Sequence, residues 1–68
     1  MDFNQKYYTV LAMRQFGGNF IRKLADALEI ADVGNTYWIE AHLLDKYPEY
    51  MPGGKFYKAV EAINDTAS

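Results

Sequence analysis

The stretch NFIRKLADALEIAD, Asn19 to Asp32, decides the fold class. Phe20, Leu24, Ala27, Leu28 and Ala31 recur at spacings of three and four, and Ile21 and Ala25 widen the stripe. Arg22, Lys23, Asp26 and Glu29 fall on the opposite side. This is the period of an amphipathic helix with a broad apolar face. Leu and Ala are strong helix formers, and no Gly or Pro interrupts the run. Asn19 is placed to cap its start. Gly34 offers a left-handed residue past its end. Arg22 and Asp26, four apart, can pair along its surface.

The flanking segments follow the same period. Asp2 to Gln15 reads as a first helix, with Asp2 and Gln5 spaced as a capping box. Phe3, Tyr7, Val10 and Leu11 form its stripe; Tyr8 and Met13 broaden it. Gly17-Gly18 then makes a turn that allows a positive φ or a close approach of two backbones, and at least one of the two glycines is expected to take a positive φ and end the first helix. A third helix is expected from about Thr36 to Tyr47, capped by Asp32 or Asn35. Tyr37, Ala41 and Leu44 line one side of it, and Ile39, Leu43 and Tyr47 the other. Glu40 lies inside that arc and needs a partner or a route to its edge. Pro48 stops the third helix. A shorter fourth helix is expected from Lys55 to about Asn64, with Phe56, Ala59, Val60 and Ile63 as its stripe and residues 65–68 frayed. The expectation is one all-α domain over residues 1–68, a small bundle of three main helices plus a short fourth. Val10, Leu11, Phe20, Leu24, Leu28, Leu44 and Ile63 are its expected core.

Sixty-eight residues are too few for a large core, and a domain of this size is marginal without help. There is no Cys and a single His, so disulfides and the usual zinc ligand sets are excluded. The net charge is -2. Residues 1–31 hold four basic and three acidic side chains, and residues 32–68 hold three basic and six acidic. Neither half has the basic footprint of a general nucleic-acid binder. No apolar run approaches the roughly 20 residues that span a bilayer. The start, MDFNQKYYTV, has neither the basic nor the apolar part of a signal peptide, so the expected location is the cytoplasm.

Raw material for catalysis is thin. Ser68 is the only serine and the last residue, so a Ser–His–acid arrangement has no ordered element to sit on. His42 and Asp45, three apart, are only two neighbouring candidates, common by chance, where a structural metal site needs four ligands and a catalytic one three; Glu49 could follow after the proline. Asp32, Glu40, Asp45, Glu49, Glu61 and Asp65 read as a solvated acidic face, since acid–base work needs a cleft that so small a bundle has little room for. The expectation is a non-enzyme with no cofactor and no metal.

Two resemblances bear on function. Leu24-Ala25-Asp26-Ala27-Leu28-Glu29-Ile30 resembles the first helix of helix-turn-helix DNA readers, with their LA-x-x-L-G-[IV] pattern. Glu29 stands where that family has Gly, and Asn35 where it has an apolar residue. The following segment, NTYWIEAHLLDK, carries Glu40 and Asp45 against Lys46 alone, which suits phosphates poorly. A longer resemblance runs from Phe16 to Tyr50: Phe16-Gly17-Gly18-x-Phe20, Leu24-Ala25-x-Ala27, Ala31-Asp32-x-x-Asn35 and Pro48-Glu49-Tyr50. This order is similar to that of short uncharacterised phage and prophage proteins with GG-x-F, LA-x-A, AD-x-x-N and F-P-E. Tyr47 replaces their Phe, and the segment from Asn35 to Pro48 is about one helical turn longer. The resemblance implies a mobile-element origin and a small helical fold, with no activity attached. The expected function is an interaction protein that docks on a host or phage protein, inhibition of a host enzyme or defence complex being one form of it. DNA regulation is the alternative.

The docking face is expected on the third helix. Trp38 falls off the apolar arc, on the side that holds His42 and Asp45. Either the first or fourth helix covers it, or Trp38, His42, Asp45, Tyr47, Glu49 and Tyr50 together meet a partner, in the manner of an aromatic hot spot ringed by polar groups. Six Tyr, four Phe and one Trp are more rings than one small bundle buries, so a homodimer is expected over a monomer.

Overall fold

The computed structural model describes the backbone of residues 1–67 and the side chains of residues 1–64. Its helices, in chain order, are α1 (Phe3–Phe16), α2 (Asn19–Ile30), α3 (Val33–Lys46) and α4 (Lys55–Ala67). A single 3₁₀ turn, Pro48–Tyr50, joins α3 to α4. The described residues contain no strand. The all-α bundle is therefore as expected, with α4 continuing past Asn64 to Ala67. Ser68, the last of the residues expected to fray, lies outside the described ones.

Local chemistry sets the helix ends. Asp2 Oδ1 accepts from the Gln5 backbone N–H at 2.8 Å, and Gln5 Oε1 accepts from the Asp2 N–H at 3.1 Å, completing the capping box. Asp32 Oδ1 accepts from the Asn35 N–H at 2.8 Å, so Asp32 caps α3. This moves the start of α3 ahead of Thr36. Gly34 is no C-cap; it lies in the first turn of α3, and Ala31 and Asp32 alone join α2 to α3. Asn19 is the first residue of α2 and Gly18 its cap, without a side-chain bond. Neither Gly17 (φ -85°) nor Gly18 (φ -83°) has the positive φ expected of at least one of them. Gly17 is needed for close approach instead: an added Cβ would lie 2.5 Å from the Met13 carbonyl oxygen and 2.6 Å from Ile21 Cβ. Gly53, at φ 86°, is the left-handed residue among those described.

The hub is α1, which packs against both α2 and α4. Its residues explain the role: Phe3, Tyr7, Tyr8, Val10, Leu11, Ala12, Met13 and Phe16 surround the helix, and a helix apolar on most sides belongs inside. Thr9, Val10, Ala12 and Met13 are buried. From α2 come Ile21, Ala25 and Leu28, from α3 Leu43, from the loop Tyr50 and Met51, and from α4 Tyr57 and Val60. Rings fill the gaps: Phe16 stacks on Phe56 at 4.7 Å, Tyr50 meets Phe56 at 5.1 Å, and Tyr8 meets Tyr57 edge-on at 5.8 Å. Arg14 of α1 reaches Asp26 at 3.0 Å and Glu29 at 2.7 Å on α2, so Asp26 pairs between helices where a bond to Arg22 was expected.

Val10 and Leu28 are core as expected, while Leu11 and Leu24 are half-buried. Phe20, Leu44 and Ile63 are exposed, contrary to expectation. Each lies at the edge of a face whose centre is rotated. On α2 the centre is Ile21, Ala25 and Leu28, leaving Phe20 outside. On α4 it shifts to Tyr57 and Val60, leaving Ile63 outside. On α3 only the Ile39–Leu43–Tyr47 side turns inward, so Tyr37, Ala41 and Leu44 face out.

Candidate partner-binding face

Helix α3 has few neighbours. It packs on α2 and on the Pro48–Tyr50 turn. Leu43 is its one buried residue. Polar ties hold its inner edge to α1. The Met1 ammonium meets Glu40 at 3.1 Å, which is the partner Glu40 required. Lys6 Nζ donates to the Ala31 carbonyl at 3.1 Å and to Thr36 Oγ1 at 3.2 Å. Thr36 Oγ1 donates in turn to the Ala31 carbonyl at 3.3 Å. With its inner edge fixed this way, α3 turns the rest of its surface outward.

Trp38 is 75% exposed, so neither α1 nor α4 covers it. It lines a hollow of about 410 Å³ between α2 and α3 with Ala27, Ile30, Asn35 and Ile39. Ile30 on the opposite wall is 84% exposed. His42 and Asp45 are exposed one and two turns further along the same side of α3. Asp45 sits 3.5 Å from Lys46, both open to solvent. Tyr47 is half-buried; its ring is 5.9 Å from that of His42 and 6.5 Å from that of Phe20. Glu49 is half-buried.

Tyr50 does not belong to this face. It is buried in the core against Phe56. Burial first, and then the nearby Glu49 and Tyr47, push its phenol above the ordinary value of 10.0. The turn that follows Pro48 swings residue 50 inward, which no periodicity could show.

Sequence reasoning missed Ile30 and Val33. Ile30 lies off the apolar stripe of α2, and Val33 follows a capping Asp. An aliphatic residue outside its helix's own stripe was the available signal. Among the described residues no group of three or more His, Asp or Glu side chains is placed to hold a metal ion. No described helix is long and apolar enough to cross a membrane. No protein-family model, curated protein or solved structure matches the chain.

Proposed function

We propose that this chain is a small interaction protein that docks on another protein through Trp38 and the hollow between α2 and α3. One observation carries the reading: an exposed Trp and an exposed Ile line one hollow together with the polar Asp32 and Asn35, and His42 and Asp45 are exposed further along the same side of α3. Aromatic anchors with a polar rim are the usual make-up of a contact hot spot. The motif order that resembles short phage and prophage proteins leads us to propose a mobile-element origin and a host or phage protein as the target, inhibition of a host enzyme or defence complex being one form of it. The protein acts by binding and carries out no reaction.

DNA regulation is the alternative. The short α2–α3 connection suits it, and the charge on α3 does not: Lys46 is the only cation on the helix, and Asp45 lies beside it. The two readings separate in two measurements. A DNA reader retards duplex DNA at low salt, and a docking protein leaves it free. For docking, a photo-crosslinking residue at Trp38 is expected to capture one defined host or phage protein. Trp38→Ala and Ile30→Asp should each weaken binding of that protein at least about 30-fold, the equivalent of roughly 2 kcal/mol, with the melting curve unchanged. A folded Trp38→Ala protein that binds the captured partner undiminished would overturn the reading.

A further inference from the structure

We infer that the other flank of α3 is a self-association face, and that its occupant is a second copy of this chain packed antiparallel, α3 on α3. Val33, Tyr37, Ala41 and Leu44 follow at spacings of four, four and three and form an apolar ridge. Val33 is 89% exposed, Tyr37 73% and Leu44 56%. Phe3 of α1, also exposed, lines the hollow beside Val33 and Tyr37 and extends the patch. The centre of this ridge lies a little over a quarter of a turn round α3 from Trp38, with Ala41 as its near edge, so it is a different flank from the docking face proposed above.

The area is sufficient. Two open rings at ~150–250 Å² each, with an aliphatic pair beside them, give on the order of 500 Å² of apolar surface per copy. A standard interface takes roughly 800 Å² per partner. About 65% of that is apolar in homodimers, or roughly 520 Å². The ridge therefore matches what a two-fold dimer needs.

The residues also favour one direction. Tyr37 and Ala41 lie two residues to either side of the level of Ile39. With a two-fold axis at the level of Ile39, antiparallel packing seats the large Tyr37 on the small Ala41 of the other copy. It brings Val33 against Leu44. A parallel pair would set Tyr37 on Tyr37. Both directions are compatible with two-fold symmetry, and the large-on-small fit favours the antiparallel one.

The full chain has no cysteine, so directed crosslinks test this without background. Val33→Cys and Leu44→Cys proteins are mixed under mild oxidation. The antiparallel dimer is expected to give mainly the mixed 33–44 disulfide. Mainly 33–33 and 44–44 products, or no crosslink, overturn the proposal. Sedimentation equilibrium at micromolar concentration should show a species of twice 7.8 kDa. Tyr37→Glu should convert it to monomer with its helical circular dichroism intact; a folded Tyr37→Glu dimer would count against the ridge. Trp38→Ala should leave the dimer whole, which keeps this outcome independent of the docking reading. Dissociation of the dimer by Trp38→Ala would overturn the placement.

Discussion

The side chain of Ile21 occupies the space that a Cβ on Gly17 would need. Gly17 closes α1, its N–H bonded to the Met13 carbonyl at 2.9 Å, and Ile21 is buried in the first turn of α2 directly over it. The absence of a side chain lets α1 and α2 meet this closely across a two-residue turn. Gly18 has nothing within 4 Å of an added Cβ and serves as the cap of α2. Gly17→Ala is therefore expected to destabilise by about 1–3 kcal/mol through overpacking against backbone and a β-branched side chain. Gly18→Asp should raise stability by several tenths of a kcal/mol, by supplying the missing cap and reducing unfolded-state freedom. Urea denaturation checks both signs; equal effects at the two positions would contradict the geometry.

Leu28 and Phe20 lie on the same helix and the same broad stripe, and they should behave oppositely. Leu28 is fully buried between α2 and the hub helix, and Phe20 is mostly exposed. Leu28→Ala is expected to cost roughly 2–5 kcal/mol, enough to unfold much of so small a domain. Phe20→Ala removes a ring that only approaches Tyr47, and should cost under about 1 kcal/mol. Thermal melts of the two variants rank the helix face. Similar losses would mean that the buried side of α2 is centred elsewhere.

Alkaline pH should find a definite weakness. Tyr50 and Tyr57 are both buried, and burial raises both phenols above 10.0, with Glu49 and Tyr47 adding at Tyr50, and Glu61, Asp2 and Tyr8 at Tyr57. The folded state thus holds these protons more tightly than the unfolded chain. Their contribution is complete below pH 10 and is lost as pH rises above the ordinary phenol value and through the raised folded one. Stability should be flat from neutral pH to about 9 and then fall, with tyrosinate absorbance rising together with loss of helix. Tyr57→Phe should move the alkaline midpoint upward. A midpoint insensitive to both Tyr50→Phe and Tyr57→Phe would assign the transition to other groups.

The reach of the sequence is clear from particular residues. Helix α2, the Asp2–Gln5 capping box, the stop at Pro48 and the need of Glu40 for a partner were all legible, because each rests on local chemistry. The central role of α1 was not. A clear amphipathic stripe marks a helix with one wet side, and the most regular pattern thus belongs to an outer helix. The hub, apolar on most sides, has the weaker pattern. The rotations of α2, α3 and α4 that leave Phe20, Leu44 and Ile63 outside depend on which neighbour each helix finds. A broad stripe admits several such choices. For the candidate face, the departure of Trp38 from the apolar arc was legible. The exposed Ile30 and Val33 could have been suspected as aliphatics outside their helices' stripes, but the inward swing of Tyr50 depends on the Pro48–Tyr50 turn, whose effect only the folded chain displays.

The single Trp offers a direct optical reading of that face. Trp38 is mostly exposed, and no described element packs over it. Its emission in the free protein should resemble that of hydrated indole, be open to acrylamide, and change little on unfolding in urea. The antiparallel dimer is centred a little over a quarter of a turn round α3 from Trp38, so the spectrum should change little with protein concentration. Docking of a protein partner in the hollow between Trp38 and Ile30 should shift the emission to the blue and protect it from quencher, because an anchor residue is desolvated when its pocket closes. A blue-shifted, quencher-protected Trp in the dilute free protein would mean that another part of the chain covers it. A blue shift that grows with protein concentration alone would move the self-association face onto Trp38.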